Sequence, residues 1–218
     1  MITSMKQYER LKLGALATNC WILTLETPSL PPHPCIVIDP GDEGAKIVEH
    51  LQSLNCYPAS ILLTHGHYDH VAALPDLVHG PEAEIAIHGM EAQFLGPQSY
   101  REHRTLFTAI GLASYVDQLW HPLPSPTRLL QDGDAIGPLQ AIHVPGHSPG
   151  SLAFYWESQG VLFSGDTLFR SSVGRTDLPG SDPAALSHSL QKLLDLDEDT
   201  IVCPGHGPAT TIKAERHT

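Results

Sequence analysis

Three imidazoles and a carboxylate crowd the stretch THGHYDH (residues 64–70): His65, His67, Asp69 and His70. Side chains of these types ligate borderline divalent metals. On a helix, positions i and i+2 point about 200° apart, whereas in extended chain they share a face. His65 and His67 therefore bind one ion only where the backbone is not yet helical, and Gly66 permits the close turn this needs. Asp69 and His70 then fall where a following helix begins, an end that favours a carboxylate. The layout aims two pairs of ligands in two directions. It implies two metals, with His65 and His67 on one and Asp69 and His70 on the other.

Each ion needs more ligands, and three later stretches offer them. His147 in VPGHSPGS (144–151) sits between Gly146 and Pro149-Gly150, turn residues that let a strand end swing an imidazole inward. His206 in CPGHGP (203–208) has the same surroundings. Asp166 in SGDT (164–167) supplies a carboxylate whose two oxygens can bridge ions ~3.5–4 Å apart. One further histidine for each ion and a shared Asp166 complete both shells. Nitrogen and oxygen donors without thiolate suit two divalent ions, zinc foremost and iron or manganese also, in a catalytic rather than a structural site. Asp39 is expected behind the ligands, orienting a histidine.

These residues are scattered, so the elements around them must gather them. Short β-rich apolar runs recur at 19–25, 35–39, 60–64, 83–88, 140–144, 151–156, 160–164 and 200–203. Asp39, His65, His147, Asp166 and His206 each appear as one of these runs stops. Ligands of open sheets collect at the carboxyl ends of strands, so five distant residues can converge on one rim. Helical patterns intervene. The clearest is DPAALSHSLQKLL (182–194), with Asp182 as cap, Pro183 in the first turn and Leu186, Leu190, Leu193 and Leu194 along one face. Residues 44–54 and 70–79 are weaker helices, the second expected to break at Pro75. TPSLPPHP (27–34) reads as a surface loop. Strands and helices mixed along the whole length imply a layered α/β body and a single domain over residues 1–218.

Composition narrows the partners. A formal charge of −12, with 12 Lys and Arg against 24 Asp and Glu, repels phosphate backbones and argues against nucleic acid. No apolar run reaches the ~18 residues a bilayer requires, and the N-terminus lacks the apolar core of a signal peptide. A cytoplasmic protein without membrane contact, monomeric or homodimeric, is expected. Cys20, Cys35, Cys56 and Cys203 lie far apart without a CxxC pair and read as reduced thiols.

HxHxDH at 65–70, PGHSPGS at 145–151, GDTLF at 165–169 and PGHG at 204–207, in this order, resemble the metallo-β-lactamase superfamily. The resemblance covers nearly the whole chain, from Asn19-Cys20 to His206. It implies an αββα four-layer sandwich with a dinuclear site at the edges of the sheets, and the same seven ligands. A β-lactamase of the commonest type has a cysteine where Asp166 stands, and often an arginine-like residue at the position of His70. The set, with FRSSVGRTDLPG at 169–180, resembles instead the short form of the glyoxalase II branch, hydroxyacylglutathione hydrolases. Ala72 and Ala73 replace two glycines common in that branch, and residues 207–218 are too few for the helical C-terminal domain with which larger members bind glutathione. The implied activity is hydrolysis of small-molecule S-acyl thioesters by a metal-bound hydroxide that Asp69 orients. A thiol leaving group with a pKa near ~8.5 needs no strong general acid. Two alternatives share the motifs: a persulfide dioxygenase with one iron held by two histidines and an aspartate, and a lactonase.

Arg175 in GRTD could engage a substrate carboxylate with its planar fork or pair with Asp177. The segment at about 91–125, holding Phe94, Tyr100, Phe107, Tyr115 and Trp120, is a candidate helical lid or ordinary packing. Of the 14 histidines, those outside the five ligands, including His88, His103 and His143, read as ordinary core or surface residues.

Overall fold

The structure is a computed structural model that describes residues 8–25, 31–78 and 83–216. One mixed sheet runs in sequence order: β1 (Tyr8–Leu13), β2 (Thr18–Thr24), β3 (His33–Ile38), β4 (Cys56–Leu62), β5 (Glu84–His88) and β6 (Arg128–Leu130). Its first two pairings are antiparallel and the rest parallel. The second sheet holds β7 (Ala135–Ile136), β8 (Leu139–His143), β9 (Leu152–Trp156), β10 (Val161–Gly165), and then, across a short ribbon of β11 (Leu168–Phe169) and β12 (Ser172–Val173), the strands β13 (Ile201–Pro204) and β14 (Thr210–Thr211). Its order is β14-β13-β10-β9-β8-β7. The helices are α1 (Gly44–Ser53), α2 (Tyr68–Val71), α3 (Leu74–Leu77), α4 (Tyr100–Ala109), α5 (Ala113–Leu119), α6 (Pro183–Leu194) and α7 (Ile212–Glu215).

Alternation along the strands builds four layers, because successive side chains leave opposite faces of a sheet. Leu23, Ile36, Ile38 and Leu62 of the first sheet meet Leu152, Phe154, Phe163 and Cys203 of the second in the central core. Their neighbours Ile22, Val37, Ile61 and Ile85 point the other way, against α1 and the α3–α5 region through Ile47, Leu51, Leu74 and Phe107. On the far side Ala153, Leu162 and Val202 pack beneath Leu193 of α6 and Ile212 of α7. Strands buried on both faces carry near-continuous apolar runs, which is why these runs stand out in the sequence. The result is the αββα sandwich.

Several expectations need adjustment. Pro75 does not break a helix; it occupies the first turn of α3, and the interruption falls at Ala72–Ala73 between α2 and α3. His79, the last residue of that expected helix, lies outside the described residues, as do 27–30 of the expected loop, and His33 and Pro34 of that loop open β3. α6 forms as its sequence implies, with Asp182 Oδ1 accepting the N–H groups of Ala184 and Ala185 at 2.8 and 3.1 Å. No disulfide joins the four cysteines. No helix among the described residues is long and apolar enough to cross a membrane.

Candidate metal centre

The parallel and antiparallel pairings leave β3 and β4 running one way in the first sheet, and β8, β10 and β13 sharing a direction in the second. The turns that follow them share a rim. Asp39 follows β3, His65 follows β4, His147 lies beyond β8, Asp166 follows β10 and His206 follows β13. The two sheets are stitched at this rim. Asn19 N–H donates to Gly205 O at 2.7 Å, and the Asn19 side-chain amide donates to Pro204 O and Gly207 O on either side of His206. Leu152 N–H donates to Thr64 O at 2.7 Å.

His65 to His70 take the conformation their spacing requires. His67 is extended (φ −65°, ψ 144°) and caps α2, whose first turn carries Asp69 and His70. All seven candidate ligands are brought together. Donor atoms of His65, His67 and His147 lie within 4.8 Å of one another, and so do those of Asp69, His70 and His206. Asp166 stands between the groups, Oδ2 at 3.7 Å from His147 Nε2 and 3.5 Å from His206 Nε2, Oδ1 at 3.5 Å from His70 Nε2.

Hydrogen bonds fix which nitrogen faces inward. His147 Nδ1 and His206 Nδ1 face the carbonyls of Arg175 and Leu16 at 3.0 and 3.1 Å, and a carbonyl can only accept, so both carry the proton at Nδ1. His70 Nδ1 donates to Asp39 Oδ2 at 2.9 Å. Thr64 spends its hydroxyl proton on Asp39 Oδ2 at 2.7 Å and so accepts from His65 Nδ1 at 3.0 Å. Each of these four rings therefore keeps its Nε2 for the centre, as hydrogen-bonded Nδ1 groups do in metal-bound histidines. His67 presents Nδ1, at 3.1 Å from His147 Nε2.

These residues fit a metal pair. His65 Nε2 and Asp166 Oδ1 are buried without a hydrogen-bond partner, and His70 Nε2 meets His206 Nε2 at 3.3 Å, a contact that a shared proton or a metal ion makes favourable. Gly205 keeps the cradle open: a Cβ there would lie 2.3 Å from Asp166 Oδ1 and 2.7 Å from His70 Cε1. The electrostatics agree. Burial and the adjoining imidazoles hold His65 and His67 well below the ordinary imidazole range. Burial also works against charge on His70, yet Asp166, Asp69 and Asp39 outweigh it and push that ring well up. Burial would raise Asp69, but His70 and His206 draw it down to about 2. Desolvated carboxylates thus demand positive charge at the centre.

A cavity of about 340 Å³ opens over the cluster, with Leu106, Phe107, Ile110 and Leu112 from α4 and its C-terminal turn on one side. Within 91–125, then, residues 106–112 overlook the site, while Tyr100 and Trp120 pack outside it with Tyr68 and His103. Arg175 lines the cavity with its fork turned onto Asp177, Nε and Nη2 donating at 2.6 and 2.8 Å. Residues beyond the sequence reading also serve the site. Thr18 Oγ1 donates to Asp69 Oδ2 at 3.1 Å, and buried Glu91 accepts backbone N–H groups from two ligand-bearing turns. Glu91 carries no signal in the sequence, being a lone acid at the start of the 91–125 segment, which stands out only for its aromatic residues.

Comparison with known proteins agrees with this geometry. The chain is 33% identical over 183 residues to the hydroxyacylglutathione hydrolase GloC of Haemophilus influenzae, covering 84% of each. Among solved structures it resembles TTHA1623 in a di-iron-bound form (39% identity, TM-score 0.78, 96% of this chain and 98% of that one). It also resembles the B3 metallo-beta-lactamase BLEG-1 (32% identity, TM-score 0.79, 97% of each). With residues 13–206 matching the metallo-beta-lactamase superfamily, the chain belongs to that family of metal-dependent hydrolases.

Proposed function

We propose that the protein hydrolyses S-acyl thioesters at a dinuclear centre: RCO–SR′ and water give RCOO⁻, R′SH and a proton. The observation that carries this reading is the wall of the cavity. Apart from the ligand candidates and Arg175, the described residues that line it are apolar. Arginine does not give up its proton in proteins, so this wall offers no general acid. An amine leaving group needs such an acid, whereas a thiol of pKa near ~8.5 departs as thiolate.

His65, His67 and His147 would hold one divalent ion, Asp69, His70 and His206 the other, with Asp166 between them. Such a pair supplies Lewis acidity and draws the pKa of coordinated water toward ~7. The chain's own part is positional. Asp69, steadied by Thr18, places a carboxylate oxygen where it would accept a hydrogen bond from the attacking water and align its lone pair. The fixed Nδ1 acceptors hold the imidazoles in place before substrate arrives, so no reorganisation is needed during the reaction.

The likeness to a hydroxyacylglutathione hydrolase supports this reading. The di-iron form of a similar protein supports iron as an occupant beside zinc. The test is elemental analysis of purified protein combined with turnover of thioesters, a β-lactam and a lactone, and oxygen uptake with a persulfide. Two metals per chain with thioester turnover is the expected result. One iron with oxygen consumption, or β-lactam or lactone turnover without thioester turnover, overturns it.

A further inference from the structure

We infer that the cavity over the donor cluster is a binding site for an apolar acyl chain, so that the substrate is a thioester of an unsubstituted fatty acid rather than of a polar hydroxy acid. The inference rests on the thioesterase reading for its chemistry and on the cavity wall for its specificity. Leu16, Leu106, Phe107, Ile110, Leu112 and Phe169 face the space above His67, Asp69, His147, Asp166 and His206. They come from three separate parts of the chain: the turn after β1, the end of α4 with the turn beyond it, and the β11 ribbon. Leu106 and Phe107 are anchored in the core behind them, while Leu16, Ile110 and Leu112 are only partly buried, leaving apolar surface open to a ligand. At about 340 Å³ the space falls in the range of small-ligand pockets.

Charge points the same way. A glutathione thioester brings two carboxylates and one ammonium, and recognising its carboxylates calls for cations. Arg175 is the one Lys or Arg among the described residues lining the cavity, and its Nε and Nη2 are engaged by Asp177. The chain as a whole carries −12. A hydroxyl on the acyl chain would likewise meet only aliphatic and aromatic carbon beyond the ligands and Arg175, and an unpaired buried polar group is costly. Each added methylene instead finds apolar surface.

In the reaction the oxygen of water bonds to the acyl carbon, the C–S bond breaks with its electron pair on sulfur, and the acyl chain leaves as carboxylate. The experiment uses metal-loaded protein and S-acyl N-acetylcysteamines from acetyl to hexanoyl, with S-lactoylglutathione for comparison. The expected kcat/KM rises about four-fold per CH2, and hexanoyl exceeds lactoylglutathione. Ile110→Asp, at the edge of the wall, should flatten that rise. A parallel arm needs no turnover: calorimetry of metal-free protein with the hexyl and ethyl thioethers of N-acetylcysteamine, with hexyl expected to bind far more tightly. Thioester turnover with no dependence on chain length, or with lactoylglutathione preferred, overturns the acyl-chain site while leaving thioesterase activity standing. Hexyl thioether binding without turnover of any thioester overturns the activity and supports the site. Failure of both arms overturns both.

Discussion

Glu91 accepts the backbone N–H of Gly66, between the candidate ligands His65 and His67, at 3.0 Å through Oε2. Its other oxygen, Oε1, accepts the N–H of Gly150 at 2.8 Å, in the turn that carries His147. One fully buried carboxylate thus ties together two turns 80 residues apart at their ligands (147 − 67), and those turns hold a single donor group. A desolvated carboxylate is tolerated only with such partners, and charge-assisted hydrogen bonds are the strong ones.

Glu91→Gln turns an amide N–H₂ toward one of these donors and so loses one bond. Affinity for the ion of the His65, His67 and His147 group should fall roughly 10–100-fold, with the other ion less affected. Stepwise metal titration by calorimetry reads this directly. Unchanged affinity at both sites would show that Glu91 merely fills space.

Asp39 gives a second prediction. It sits in the left-handed region at φ 52° and binds His70 Nδ1, Thr64 N–H and the Thr64 hydroxyl at once. Asn tolerates that backbone, so Asp39→Asn should fold yet weaken the ion held through His70 by roughly 10–100-fold. Asp39→Ala leaves buried donors unpaired and should also cost about 1–3 kcal/mol of stability for each, measured by urea unfolding. A wild-type metal titration for Asp39→Asn would remove Asp39 from the role of orienting His70.

Metal removal should destabilise the fold, because two buried carboxylates and the inward nitrogens of His70 and His206, 3.3 Å apart, are then left with only protons to offset them. Free metal at about 1,000 times Kd stabilises by about 4 kcal/mol, which for a chain of this length is a Tm shift of about 10 °C. Differential scanning calorimetry with and without chelator measures it, and identical melting curves would contradict the coupling of metal to folding.

His103 sets a pH dependence away from the ligands. Burial lowers its pKa to about 4, although its bond to Phe94 O opposes the shift. Above the unfolded value near ~6.5 it is neutral in both states and its full contribution is present. As pH falls from there toward 4, the unfolded chain binds a proton that the folded chain refuses, so stability drops, by up to about 3 kcal/mol. His103→Gln keeps an N–H for Phe94 O and should lose this dependence. Urea unfolding of both proteins at pH 7.5 and 5 decides the matter: equal pH sensitivity would assign the acid lability to other groups.

The sequence by itself marked the seven candidate donors, the separation of His65 and His67 from Asp69 and His70, and the strands that carry them. HxHxDH encodes its own geometry, since i and i+2 share a face only in extended chain, and apolar runs buried on both faces announce central strands such as β3, β4 and β10. It missed β1, β6, β7, β14 and the short ribbon β11–β12, which are brief or half exposed and hold little hydrophobic signal. Tertiary structure alone decided which nitrogen each histidine presents, because that follows from acceptors such as Leu16 O and Arg175 O, 190 and 28 residues away from their rings. It alone found Glu91 and turned Arg175 onto Asp177. Periodicity and spacing report what a side chain's own segment does; a hydrogen bond between turns exists only once two sheets have packed and their rims have met.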